Sequence, residues 1–459
     1  MLEKSILQEV IIKALKTGGD FAEIYIEEAI INSIHMTDGR IENVLSGRDF
    51  GAGIRIFSGV NSVYAYTNNV SRDGLLKTAK DVSAAIKDVL GSAINLNKVE
   101  YNNTNLIVYT PSLIDIEKKT KHVKNAYRAA KEYDNCISQV NVIYGDSDKR
   151  ITIANSEGLL IEDRRVRTRV SVNSVASDGI ENQTGFWGPG RAMGFEYFDV
   201  IDIESYAREA SRMAKTMLYA EHCPSGAMPV VIENGFGGVI FHEACGHSLE
   251  ATSVAKGHSV FSNKLGEMIA SPLVTAIDDG TLVNLWGSSN IDDEGTKTNK
   301  NVLIEKGKLA GYMIDKLNGR RMNMSPTGNS RRESYKYAPT SRMTNTYIAA
   351  GESSPEEIIA STTEGLYAKN MGGGSVNTVT GDFNFSVREG YLIRNGKIDR
   401  PVRGATLIGK GSEVLLNIDM VGNNLDYGQG MCGSNSGIVA ANVGQPMLRV
   451  KKITVGGRL

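Results

Sequence analysis

The stretch FHEACGHSLE, residues 241–250, sets two imidazoles and a carboxylate close together: His242, Glu243 and His247. Imidazole nitrogen is a good zinc donor. A carboxylate beside a ligand stands where a general base must stand to take a proton from activated water. Zinc peptidases that use one helix usually space the histidines four apart, as H-E-x-x-H. Here they are five apart. At roughly 100° per residue, four residues leave two side chains about 40° apart and five leave them about 140° apart, too divergent for one ion. A single π-type turn returns residues five apart to nearly one face. The spacing therefore predicts a helix distorted between the two histidines, with Gly246 where the backbone must give. Two histidines on one apolar helix are more often packing residues than ligands; it is Glu243 that tips the pair toward chemistry.

A catalytic zinc takes three protein ligands and keeps one position open. Four residues compete for the third place. Cys245 lies inside the motif but points away from the histidine face under most windings, so core packing suits it better. Glu250 and His258 lie downstream at distances used by other zinc peptidases. Cys432 is remote, in GQGMCGSNSG, a polar, flexible-looking stretch that is a poor home for a structural core cysteine. Thiolate is a strong zinc ligand. Spacing alone leaves this choice open. Cys136 and Cys223 have no comparable setting, and His35, His122 and His222 read as surface or core residues.

The elements that must position these groups follow from periodicity. MPVVI (228–232) reads as a buried strand, and Asn234 is placed to cap a helix over 234–252. Downstream, helical patterns become scarce and glycine clusters frequent, with hairpins expected at NVLIEKGKLAGYMI and GYLIRNGKIDRPV. Upstream, helices are expected at the N-terminus, over residues 73–90, over 114–131 and over 203–220. Strands are expected at FAEIYIEEA and INSIHMTDG, with a hairpin turning at Ser58-Gly59. An antiparallel meander is expected over 137–176, carrying Arg164, Arg165, Arg167 and Arg169 on a solvated polar face rather than in a phosphate site. EHCPSGAMP reads as a linker. The expectation is an α+β protein: an N-terminal α+β domain, residues 1–220, with an antiparallel sheet and long helices, and a mainly β domain, residues 221–459, carrying the histidine helix.

Bulk composition narrows the classes. The chain has 459 residues, 41% hydrophobic and 22% charged, with a formal net charge of -1. A near-neutral chain offers no global field for nucleic acid or anionic membrane. Four cysteines are too few for a disulfide scaffold and fit a reducing compartment. No apolar run approaches the ~18 residues of a membrane span, and the charged, helical N-terminus does not read as a signal peptide. A cytoplasmic location is expected.

Motifs along the whole chain resemble the TldD/PmbA family, zinc metallopeptidases also described as modulators of DNA gyrase. DGRIENVLSGRDFGAGIRIFSG and YAYTNN resemble its N-terminal signature, and FHEACGHSLE resembles its H-E-x-x-x-H motif with the five-residue spacing. GSSNIDDEGTKT, SPTGNSRRESY, RMTNTYIAAGE, GDFNFSVREGYLIRNGKI, GATLIG and GMCG follow in the family's order. The resemblance implies zinc held by His242, His247 and Cys432, with Glu243 as catalytic base. The intact histidine motif places the chain with the TldD-like branch, since the PmbA-like branch lacks it. It also implies an enclosed metal and a dimer, either of two copies or with a PmbA-like paralogue; an enclosed site that binds extended backbone cannot accept a folded domain, so short peptides or unfolded protein segments are the expected substrates. Arg331, Arg332, Arg342 and Tyr347 lie in matching stretches. One of them could stabilise an oxyanion, although a structural ion pair or hydrogen bond is the better expectation for each. The rival readings are a non-catalytic binding module and a hydrolase of non-peptide amides. Gly-rich MGGGSVNTVTGDFNFSV could admit a second backbone, with the following strand free to pair with an extended peptide.

Overall fold

The computed structural model describes residues 2–86, 94–377 and 379–458. Helices and extended sheets together make it α+β, as expected. The first sheet holds β1 (Phe21–Thr37), β2 (Arg40–Ser58), β3 (Asn61–Thr67), β4 (Asn97–Val99), β5 (Ile137–Asn155), β6 (Leu159–Ser177), β7 (Asn182–Trp187) and β8 (Gly190–Arg191). Its order is β3-β2-β1-β5-β6-β4, with β7 and β8 also on β6. FAEIYIEEA and INSIHMTDG form one strand, β1, rather than two. It turns into β2 through Asp38 and Gly39, both at positive φ, as a two-residue Asp-Gly hairpin requires.

Helices α1 (Lys4–Ala14) and α2 (Arg72–Ser83) bury Leu7, Val10, Leu75 and Val82 against β1 and β2. The expected helix over 73–90 ends at Ser83, and its part beyond Ile86 falls outside the described residues. Helix α3 (Ile116–Lys131), the short α4 (Tyr197–Val200) and α5 (Ile203–Leu218) cover the β5–β6 face with Val123, Ala126, Ala207 and Ala210.

The rest of the chain is mostly strand. In order come β9 (Glu221–His222), β10 (Gly226–Ile232), β11 (Ala276–Asp279), β12 (Lys300–Glu305), β13 (Lys308–Leu309), β14 (Ser330–Arg331), β15 (Thr340–Ser341) and β16 (Asn345–Ile348). Then follow β17 (Glu364–Val376), β18 (Asp382–Arg394), β19 (Lys397–Arg403), β20 (Thr406–Lys410), β21 (Ile418–Val421), β22 (Asp426–Ser434), β23 (Gly437–Gln445) and β24 (Leu448–Gly456). Strands β17-β10-β24-β20-β18 close on themselves, because β18 also pairs with β17. A six-stranded sheet, β13-β12-β11-β16-β23-β22, lies beside this ring. One apolar core joins the two, with Phe241, Ala244, Leu249, Met343, Phe385 and Val443 among its members.

Three expectations are corrected here. EHCPSGAMP is not a loose linker: β9 pairs with β19, and Cys223 is fully buried with its N–H on the Arg403 carbonyl. The Gly-rich segment is approached by its own hairpin partner. A Cβ on Gly372 would lie 2.0 Å from Ser386 Oγ, and one on Gly374 would lie 2.1 Å from the Asn384 carbonyl. Strand β18 is paired on both sides, by β17 and by β19 and β20, and so has no free edge for a peptide.

The arginine run on β6 does not face solvent either. Arg165 pairs with Asp293 at 2.6 Å and Arg167 donates to the carbonyls of Trp286 and Ser288. Arg165, Arg167 and Arg169 are half-buried because they join the first sheet to the segment 286–294, whereas Arg164, on the opposite face, pairs with Asp148 at 2.7 Å. Arg332 reaches back to Glu23 at 2.9 Å, and Glu23 also holds Arg55. These charges are buried because each has a partner of opposite sign or a carbonyl to donate to.

Candidate metal centre

The chain enters the site from β10 and winds through a 3₁₀ turn, Gly235–Gly238, into α6 (Val239–Ala244). Asn234 precedes the turn but does not cap it with its side chain, which donates to the Asn424 carbonyl instead. Helix α6 stops at Cys245, whose φ of -131° and ψ of -45° are not helical. A second 3₁₀ turn, Gly246–Leu249, carries His247, and α7 (Ala251–Val254) follows. The helix expected over 234–252 is therefore broken between the two histidines, as the spacing required. The distortion is a break at Cys245, not a π-turn. Gly246 lies just past it and admits no side chain: a Cβ there would sit 2.3 Å from Met343 Sδ.

The break turns the two imidazoles toward each other, with ring centroids 5.0 Å apart and planes near perpendicular. Between them lies Cys432. Its Sγ is 3.3 Å from His242 Nε2 and 3.3 Å from His247 Nε2. The three donor atoms lie within 4.8 Å of one another. Cys432 is buried on β22, a regular strand rather than the flexible loop expected of GQGMCGSNSG.

The other three candidates stand elsewhere. Cys245 is fully buried, and burial alone drives its thiol well up. Glu250 lies on the far side of His247, its Oε1 3.2 Å from Nδ1. His258 is solvent-exposed on the turn after α7. His35 is exposed, His122 stacks on Phe198, and His222 sits beside Arg458.

Burial opposes ionisation of the Cys432 thiol, but His242 and His247 outweigh it and hold the pKa at about 3. Burial likewise opposes charge on His247, and Glu250 and Cys432 overcome it, raising its pKa well above the ordinary value. A buried thiolate between two imidazole nitrogens is a donor set suited to a thiophilic divalent ion. Glu243 Oε2 is 3.7 Å from His247 Nε2, on the side where the donors converge.

Two supporting groups were not legible as such. Glu250, weighed as a ligand, orients His247 through Nδ1, which is the usual role of a carboxylate behind a metal-bound histidine. Arg342, fully buried, donates to the backbone carbonyls of Cys432 and Gly437 and to Ser436 Oγ, fixing the β22–β23 hairpin. The i+3 spacing of Glu250 from His247 was the available signal for the first. Nothing local signals the second. Arg331 donates to the Met343 carbonyl, and Tyr347 packs edge-on against Tyr427. With Arg332 on Glu23, all four of these residues make structural contacts.

Comparison with known proteins gives the centre its context. Three family models match in succession: PmbA/TldA metallopeptidase domain 1 at residues 22–86, the central domain at 109–218 and the C-terminal domain at 225–457. The chain belongs to the PmbA/TldD metallopeptidase family. Within that family, it is 39% identical over 450 residues to a metalloprotease TldD homolog of Haemophilus influenzae, covering 95% of this chain and 93% of the relative. It is 28% identical over 469 residues to a zinc metalloprotease TldD homolog of Saccharolobus solfataricus, covering 97% and 98%. TldE from Thermococcus kodakarensis shares the fold, with a TM-score of 0.77 at 18% identity over 98% of this chain and all of that one. The chain is a metallopeptidase, and its His242–His247–Cys432 group points to a bound metal. Among the described residues no helix is long and apolar enough to cross a membrane.

Proposed function

We propose that the metal is zinc, that His242, His247 and Cys432 hold it, and that Glu243 is the general base of peptide-bond hydrolysis. One observation carries this reading. Three donor atoms from two segments 185 to 190 residues apart converge within 4.8 Å, with the Glu243 carboxylate 3.7 Å from one of them. Zinc bound there would supply Lewis-acid activation of water and of the scissile carbonyl. The Glu243 carboxylate takes the proton of the attacking water and passes it to the leaving nitrogen. Glu250 keeps the His247 ring oriented, and Arg342 holds the backbone of Cys432 in place. In this reading residues 221–459 form the catalytic part, and residues 1–220 form a domain packed on it.

The substrates we infer are short peptides or unfolded segments. His242 and Cys432 are buried, so a folded domain cannot reach the donors. Strand β22 is the edge of its sheet and leads directly to Cys432, so an extended backbone can approach along it, with the Gly430 and Cys432 carbonyls already held by Trp286 Nε1 and Arg342. The partner is a second copy or a PmbA-like paralogue. The stretch 40–50 of β2 supports this: β3 pairs only from Ala52 on, and Ile41, Val44, Leu45 and Phe50 are exposed along it. Metal analysis of the purified protein, with cleavage of one protein offered in native and in destabilised form, tests the reading. Zinc near one per chain and cleavage of the destabilised form alone are expected. Equal cleavage of both forms, or activity without a divalent metal, would overturn it.

A further inference from the structure

A cleft of about 380 Å³ lies between the first sheet and the six-stranded sheet. One wall is Phe186–Pro189 with Arg191; another is β22 from Asp426 to Met431, one residue short of Cys432. Three guanidinium groups line it with no carboxylate partner among the described residues: Arg169, Arg191 and Arg388. Arg169 Nε donates to the Gly188 carbonyl at 3.0 Å, and Arg191 Nη1 to the Gly190 carbonyl at 3.3 Å. Arg388 lies over the Phe186 ring, 4.9 Å from its centroid. Burial pulls the Arg169 pKa below its ordinary value.

The cleft's other charges do not answer these. Lys369 is paired with Glu389 at 3.2 Å. Glu233 accepts from the Tyr367 hydroxyl and the Asn234 N–H. Asp426 is solvent-exposed at the rim. A planar guanidinium fork is shaped for a carboxylate, and an aromatic wall that excludes water strengthens such a pair. Neutral side chains would satisfy it less well.

We propose that this cleft is a substrate subsite for a carboxylate, with Arg388 as its most accessible contact. The inference rests on the peptidase site proposed above and adds a charged determinant to it. A peptide lying along β22 advances ~3.3 Å per residue. The β22 wall of the cleft runs from Asp426 to Met431, ~3 to 20 Å of strand from Cys432, so the carboxylate sits between one and six residues from the bond cut. It is either the peptide's terminal carboxylate or an Asp or Glu side chain.

The test uses the zinc-loaded Glu243→Gln protein and fluorescently labelled unstructured octapeptides in four versions. The C-terminus is a free acid or an amide, and a glutamate three residues before it is kept or changed to glutamine. Anisotropy reads the affinity. Loss of one of the two carboxylates is expected to weaken binding about tenfold, the size of a single partly desolvated charge pair. Which loss does so identifies the source. In Arg388→Gln the gap shrinks to about twofold, and Arg388→Lys keeps most of it. Equal affinities for all four peptides would overturn the proposal, as would equal weakening of all four by Arg388→Gln. A changed oligomeric state in Arg388→Gln, with the gap intact, would assign the cleft to a subunit contact instead. Failure of the zinc reading shows separately, as metal-free protein or as cleavage surviving Glu243→Gln.

Discussion

In the proposed mechanism, exchanging Glu243 for glutamine removes the base without removing a ligand. The Glu243→Gln protein is expected to keep its zinc by metal analysis and to lose at least ~100-fold in kcat, the usual worth of a general base. Wild-type turnover in that variant would eliminate the mechanism. The two cysteines nearest the histidines separate by the same measurement. Cys432→Ser exchanges the sulfur 3.3 Å from both imidazoles for a weaker donor and is expected to lose most of its metal. Cys245→Ser, buried among apolar groups, is expected to keep it. Glu250 acts through His247, so Glu250→Gln is expected to weaken zinc affinity about 10- to 100-fold in a chelator competition, with the metal still bound at saturation. Cys432 shows why only part of this centre was legible. Its chemistry was suggested by residue type, but its burial on a strand depends on β23 pairing and on Arg342, 90 residues away.

The decisive element is the broken helix at 239–249. A five-residue spacing cannot serve one ion on a straight α-helix, so a distortion was readable from the sequence. Its form was not, because the break is set by what packs around it. Met343 fills the space beside Gly246, Gly238 lies against the Gly444 backbone, and Gly411 lies against the Ala244 carbonyl. Gly246→Ala is expected to cost about 1–3 kcal/mol in chemical denaturation, as overpacking does, and to lower metal occupancy. Met343→Ala in the same chain should return part of that loss, so the two changes are less than additive. Strict additivity would mean that the Met343 contact does not shape the break. The β1–β2 hairpin is the opposite case. Its Asp-Gly turn and alternating flanks carry their own instruction, and only the continuity of β1 escaped the local pattern.

At the scale of the whole molecule, the first sheet and the C-terminal residues 286–332 are joined by buried charges. Asp293 accepts from Arg165 and from the Arg332 backbone N–H. Burial opposes its ionisation, yet Arg165 and Arg332 hold its pKa below the ordinary carboxylate value. A carboxylate depressed in the folded state contributes stability above its unfolded pKa of about 3.9. That contribution is lost as pH falls through the lower, folded pKa. Thermal denaturation below about pH 4 is therefore expected to show a decline that flattens in Asp293→Asn. At neutral pH that variant is expected to lose about 3–5 kcal/mol, because it leaves buried arginines short of their counter-charge. Unchanged melting temperatures would remove Asp293 from the joint. This joint also explains the misread arginine run on β6. Alternation places Arg165, Arg167 and Arg169 on one face and Arg164 on the other, but a half-buried polar face and a solvated one have the same period. What the sequence determined by itself was local: the α+β character, most hairpins and helices, the metal-binding residue types and the need for a broken helix. Its motifs, taken together, also located the family. What only the tertiary structure decided was which other groups meet: Glu250 behind His247, Arg342 on the β22–β23 hairpin and Arg165 on Asp293; the meeting of Cys432 with the two histidines was open on spacing and implied by the family resemblance. Periodicity reports which face a side chain takes, whereas partners across a hundred residues are selected by packing and by the cost of leaving a buried charge alone.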